Sequence, residues 1–187
     1  MNKYLFCLLG LFLSLPLLAA EQAELWTALA QDGHVALMRH ARAPGTGDPA
    51  RFQLDDCTTQ RNLDDTGREQ ARRTGAAFRA RDIKVARVLS SQWCRCRETA
   101  ELLDLAPVED LPALNSFFAD STQRTPQTAQ LRRYLAELER SGPSLVMVTH
   151  QVNITALTGY YPASGEIVVL RLDAAGDFTL LGAISPF

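Results

Sequence analysis

Val35-Ala36-Leu37-Met38-Arg39-His40 is the stretch that decides the fold: four apolar residues in unbroken succession, then a guanidinium and an imidazole. A run this short and without polar alternation reads as a strand buried on both faces, and such strands belong to parallel sheets covered by helices. The runs at 85–89, 145–148 and 167–172 are likewise short and rich in Val, Leu and Ile. Helical patterns lie between them. Residues 65–81 follow Asp64 as N-cap, turn Ala71, Gly75 and Phe78 to one face, and leave Arg72, Arg73, Arg79 and Arg81 on a solvated one. Thr125-Pro126 supplies a cap and a proline at the first helical position; Leu131, Tyr134, Leu135 and Leu138 follow at helical spacing until Ser141-Gly142-Pro143. Strand and helix in alternation imply an α/β three-layer sandwich, with right-handed crossovers and a mainly parallel sheet carrying helices on both faces. Residues 166–172 and 178–184, around Ala174-Ala175-Gly176, read as an added hairpin.

The 187 residues are 47% hydrophobic and 21% charged, with no repeat or linker tract, which is the profile of one globular domain. Nineteen basic against 21 acidic residues, with the densest arginines on a helix face, exclude a nucleic-acid partner. Residues 1–20 carry Lys3, an apolar run over 4–13, Pro16 and the ending Leu18-Ala19-Ala20. This is the build of a signal peptide cleaved after Ala20, leaving residues 21–187 as the domain and placing it in the periplasm or outside the cell. The apolar run is shorter than the roughly 20 residues that span a bilayer, so no membrane insertion is expected after cleavage.

Cleavage removes Cys7 and leaves Cys57, Cys94 and Cys96 in an oxidising compartment, hence one disulfide and one spare thiol. Cys94 and Cys96 are too close to pair on a helix, so Cys57 takes one of them. On the chain-entropy account, closing such a loop contributes about 4 kcal/mol. A Cys/His zinc site is the rival reading, and it lacks paired CxxC spacing.

Reactive groups in such sheets gather at the carboxyl ends of the strands, beside helix N-termini. One strand here ends in Arg39-His40, a second in Ser90-Ser91 with Arg95 following at a helix start, and another in Thr149-His150. Two imidazoles and two guanidiniums at one edge suit a tetrahedral dianion. His34 falls at the opposite edge and reads as a structural residue.

Leu37-Met38-Arg39-His40-Ala41 resembles the Arg-His-Gly signature of the histidine phosphatase superfamily, in its phosphoglycerate-mutase-like branch. Asn62-Leu63-Asp64-Asp65-Thr66-Gly67-Arg68-Glu69-Gln70-Ala71 resembles the family's Leu-Thr-x-x-Gly-x-x-Gln-Ala helix start. Ser91-Gln92-Trp93-Cys94-Arg95-Cys96-Arg97-Glu98-Thr99-Ala100 resembles its Ser-x-x-x-Arg-Ala-x-x-Thr-Ala segment, and Val148-Thr149-His150 its second-histidine strand.

The resemblance implies a phosphatase whose nucleophile is His40, with Arg39, Arg95 and His150 holding the equatorial oxygens of the phosphoryl group and no metal or other cofactor taking part. Cations beside His40 favour its neutral form. Cys96 stands where the family has Ala, a packed position, which leaves Cys94 as the better partner for Cys57. Arg61 and Asn62, in the loop that holds Cys57, are candidate phosphate or substrate contacts beside the plain reading of a solvated polar loop, and Gln151, directly after His150, is a candidate substrate contact. The branch places a general-acid Glu after the third strand, and Leu114-Asn115-Ser116-Phe117-Phe118 has none; Asp120, the nearest carboxylate, is the candidate for that role, the alternatives being water or substrates with good leaving groups. The sequon Asn153-Ile154-Thr155 falls in a helix behind the site and reads as chance. Export disfavours a mutase acting on cytoplasmic intermediates and favours a phosphorylated small molecule or an envelope phosphoester as substrate. The alternative is a noncatalytic phosphate-ligand binder of the same fold.

Overall fold

The computed structural model describes residues 14–185 and Phe187, with side chains from Ala20 onward. In chain order the elements are α1 (Ser14–Leu29), β1 (His34–Arg39), α2 (Asp65–Arg79), β2 (Val85–Ser90), α3 (Cys94–Leu103), β3 (Val108–Asp110), α4 (Arg124–Glu137), β4 (Ser144–Thr149), α5 (Gln151–Thr158), β5 (Ile167–Leu172) and β6 (Phe178–Ile184). The sheet order is β3-β2-β4-β1-β5-β6. The first four strands in that order run parallel, and the β5–β6 hairpin continues the sheet antiparallel to β1.

Because side chains alternate across a strand, each apolar run feeds two cores. Ala36, Met38, Val146, Val148 and Val169 face α1, α2 and α3 through Trp26, Phe78 and Leu103. Val35, Leu37, Leu145, Met147 and Leu170 face α4 and α5 through Leu131, Leu135, Ile154 and Leu157. The three-layer sandwich and the terminal hairpin therefore stand as the sequence implies. So does the cap of α2, where the Asp64 carboxylate accepts from Gly67 N at 2.8 Å.

Several boundaries differ from expectation. β2 is buried only in its second half, since Ala86 and Arg87 are exposed and Arg87 pairs with Glu109 on the edge strand β3. α2 stops at Arg79 rather than residue 81. α4 begins at Arg124 after a 3-10 turn over Ser121–Gln123, so Thr125-Pro126 sits inside its first turn. Proline is tolerated there because its missing N–H has no intrahelical acceptor. The helix ends at Glu137 as Leu138 turns extended, before the Ser-Gly-Pro stop.

The sequence reading assigns no element to residues 21–33, yet α1 runs through Ala20 to Leu29. Its Leu25, Trp26 and Leu29 are buried, and Gln22 Nε2 donates to Ala183 O at 2.9 Å. Most of the expected leader, with Cys7, lies outside the described residues. No helix among the described residues is long and apolar enough to cross a membrane.

Two glycines of α2 permit close packing rather than unusual backbone angles. A Cβ on Gly67 would stand 2.0 Å from Arg42 O, and one on Gly75 would stand 1.9 Å from Leu103 O. Only glycine lets α2 press this closely on the loop after β1 and on the end of α3.

Candidate active site

The parallel register brings the three strand ends together. Arg39 pairs with Thr149 and Ser90 with Val148, so His40, Ser91 and His150 each lie one residue beyond the same sheet edge. Backbone bonds from His40 N to Thr149 O and from Ser91 N to Val148 O, both 2.9 Å, extend the ladder to that point. Arg95 enters from the first turn of α3. The Thr99 hydroxyl, which donates to Arg95 O at 2.6 Å and accepts from Ala41 N at 3.1 Å, ties that turn to the nucleophile loop.

His40, Arg95 and His150 form the floor of a cleft and are only 2%, 2% and 4% exposed. The cleft has an interior of about 130 Å3. His40 Nδ1 lies 2.8 Å from Ala41 O and must donate to it, since a carbonyl only accepts. The proton is therefore on Nδ1, and Nε2 presents a lone pair, which accepts from Arg95 Nε at 3.3 Å. Burial first, and then the Arg95 charge, hold the pKa of His40 well below the usual imidazole value. The same two causes, with His40 added, hold His150 low.

His150 is oriented by a relay. Arg95 donates to its Nδ1 at 3.4 Å, its Nε2 lies 2.8 Å from Ser91 Oγ, and Ser91 Oγ donates to Asn115 Oδ1 at 3.3 Å. In the resting cleft Nδ1 of His150 thus faces Arg95 as an acceptor, and it becomes a donor only on protonation.

Cations crowd this edge. Arg39 docks one terminal N–H on Pro162 O at 2.9 Å, while its buried Nε has no partner. Arg61 lines the same cleft, held by Gly47 O at 2.8 Å from Nε and by Ala43 O. Burial first, and then the neighbouring Arg95 charge, push its pKa down.

The structure brings Arg39, His40, Arg61, Arg95, His150 and Gln151 around one cleft. Two of the expected site residues do not join them. Asn62 bonds Cys57 O and Gln60 O from its Nδ2 and shapes the loop instead. Asp120 is exposed, outside the cleft, and caps a 3-10 turn by accepting from Thr122 N and Oγ1. Those bonds hold the carboxylate on its own turn, and Asp120 does not line the cleft. The general-acid assignment of Asp120 is therefore corrected. His34 sits at the far edge on Asp32 O, as a structural residue should. Asn153 is buried and donates to Asn115 O at 2.8 Å, which removes it as a glycosylation acceptor.

Cys57 and Cys94 form a disulfide, and Cys96 is free and buried with its thiol pushed up to about 12 by burial. The bridge uses two of the three thiols a zinc site would require. Among the described residues no group of three or more His, Cys, Asp or Glu is placed to hold a metal ion.

Sequence reasoning missed Asp48, Glu166 and the Ser91–Asn115 relay. Glu166 is buried and accepts from Tyr160 OH and Ala163 N, fixing the loop on which Arg39 docks. Gln70, part of a recognised motif, braces the same loop by donating to Ser164 O at 3.1 Å and accepts from Arg42 N at 3.0 Å. Exposed Phe118 and Tyr161 flank the mouth.

The family model for the histidine phosphatase superfamily (branch 1) matches residues 35–142. That span takes in His40 and Arg95 and stops short of His150, which the parallel register supplies. No curated protein matches the chain. Among solved structures, the chain is similar to the protein histidine phosphatase SixA complexed with tungstate, at 22% identity over 81% of this chain and 96% of that one, TM-score 0.58. It is also similar to mycobacterial glucosyl-3-phosphoglycerate phosphatase Rv2419c with VO3, at 19% identity over 79% and 96%, TM-score 0.60. A third, titled mycobacterial hydrolase 1, is 17% identical over 84% and 100%, TM-score 0.63. At these identities the likeness is one of fold.

Proposed function

Since the chain belongs to the histidine phosphatase superfamily, branch 1, we propose that it hydrolyses phosphomonoesters through a phosphohistidine on His40, without a metal ion. The observation that carries this reading is the lone pair on His40 Nε2, its tautomer fixed by Ala41 O, at the floor of a cleft whose buried Arg39 Nε has no partner. An incoming phosphoryl group satisfies that donor. It also takes donors from Arg95 and draws a proton onto His150, since a dianion favours the charged imidazole. Nε2 then attacks phosphorus, the ester oxygen departs toward the mouth, and water releases the phosphoryl group in a second displacement. Two structures of the same fold hold tungstate and VO3, oxyanions related to the one invoked here.

The reading includes export, with cleavage after Ala20. It is supported by α1 from Ala20 onward: Ala20 and Glu21 are exposed, whereas Gln22 bonds Ala183 O and Leu25 is buried in the domain core. Sequencing the N-terminus of protein recovered from outside the cytoplasm checks the boundary. The substrate is then a phosphorylated small molecule or an envelope phosphoester, its leaving group lying between Phe118 and Tyr161.

The decisive experiment is hydrolysis of an aryl phosphate in EDTA from pH 4 to 8, beside His40→Ala. Turnover that survives EDTA and is lost in the variant is expected. Vanadate binding without turnover at any pH would instead establish the noncatalytic binder, the reading favoured by the absence of an acid from residues 114–118.

A further inference from the structure

One carboxylate lines the cleft among the described residues, and it is Asp48. Its two oxygens accept from the terminal nitrogens of Arg95 at 2.7 and 3.1 Å, and it also accepts from Trp93 Nε1 at 3.0 Å and Arg61 N at 3.2 Å. The side chain is 11% exposed, so it sits between the closed floor and the open mouth. Its neighbour Gly47 lies at the mouth itself, where an added Cβ would stand 3.5 Å from the Phe118 ring. The other carboxylates near this edge are committed elsewhere, Glu166 to Tyr160 and Ala163, and Asp120 to its own turn.

We propose that Asp48 is the general acid and base of the reaction, protonating the departing ester oxygen and then taking a proton from the attacking water. The proposal rests on the phosphatase reading above. In the free protein Arg95 keeps Asp48 ionised, with its pKa below the usual carboxylate value. The phosphoryl group needs the same terminal N–H groups of Arg95. When it takes them, Asp48 loses its counter-ion and stands beside a second anion, and both changes favour protonation. The proton is the one a monoester carries in as its monoanion, since phosphate monoesters have a second pKa near ~6.

The steps balance. The ester proton passes to the Asp48 carboxylate. The His40 Nε2–P bond forms as the P–O bond to the leaving group breaks, and Asp48 gives its proton to that oxygen, releasing the alcohol. Water then forms a new O–P bond as Nε2–P breaks, its proton returning to Asp48, which loses it as phosphate departs and Arg95 reclaims the carboxylate.

The test is a series of aryl phosphates with leaving phenols ranging from acidic to weakly acidic, using wild type, Asp48→Asn, Asp48→Ala and His40→Ala. A lost proton donor is felt most where the leaving group is poorest, so kcat for phenyl phosphate should fall about 10²-fold or more in both Asp48 variants. Turnover of p-nitrophenyl phosphate should fall less than about tenfold on the same ground, and it reports that the variants are folded. Vanadate affinity should be kept or raised, because a competing carboxylate is gone. An equal loss across the series would make Asp48 only an anchor for Arg95 and overturn the proposal, as would no loss. Wild type active and His40→Ala silent keeps the phosphatase reading whichever way Asp48 falls; wild type inactive on every ester removes that reading and the proposal with it.

Discussion

His40 and His150 are neutral in the folded protein well below the pH at which a free imidazole takes its proton, because burial and Arg95 both oppose a further positive charge. Two consequences share one sign. The His40 nucleophile is available on the acid side of neutrality, so the acid limb of kcat/KM should lie below pH 6.5, measured by initial rates across pH 4 to 8. The unfolded chain, in contrast, protonates both rings near pH ~6.5. Folding stability should therefore be full above that pH and fall as pH drops through it, by about 1.4 kcal/mol per pH unit for each ring. Urea midpoints at pH 7 and pH 5 check this, and His40→Asn should reduce the slope by about half. Arg39, His40, Arg95 and His150 were legible as candidates in the sequence because each stands beside a strand or helix boundary. Asp48 was not, since residues 43–56 have no periodicity and its role is set by Arg95, which reaches it from another element.

At the scale of elements, the disulfide joins the two pieces that build the cleft wall: the loop bearing Asp48 and Arg61, and the first turn of α3 bearing Arg95. Gln60 reinforces the joint by accepting from Cys94 N at 3.0 Å. Cys57 is exposed, so a reductant reaches the bridge. Reduction should expose two further thiols, lower stability by about 4 kcal/mol on the chain-entropy account, and reduce kcat/KM. Thiol titration with thermal melting checks the prediction; an unchanged melting temperature after the two thiols appear would show that the bridge does not hold the loop. The element boundaries that sequence reading misplaced, at both ends of α4 and at the end of α2, are set by turn geometry rather than by apolar spacing. Within α2, Gly75 read from sequence only as a face residue, and its need for glycine comes from Leu103 O on α3.

Across the whole molecule, the sheet separates two cores, and α1 closes the one on the side of α2 and α3. Trp26 holds that closure, meeting Phe78 edge-on at 5.1 Å with the Arg81 guanidinium 4.6 Å above its ring. Arg81, expected on the solvated face of α2, thus lies just beyond that helix and packs on Trp26. Trp26→Ala should lower stability by about 3–5 kcal/mol while leaving kcat/KM within about twofold at temperatures well below melting; denaturant titration beside initial rates separates the two. The sequence by itself determined the layered α/β architecture, the mainly parallel sheet with its terminal hairpin, and the residues at the strand ends, because burial on both faces and the two structural periods are written locally in apolar spacing. Only the tertiary structure decided which carboxylate faces the reacting edge, which tautomer His40 holds, and how α1 completes the core. Those depend on atoms from distant segments, Asp48 on Arg95, His150 on Ser91, Gln22 on Ala183, and a contact between segments leaves no period in either one.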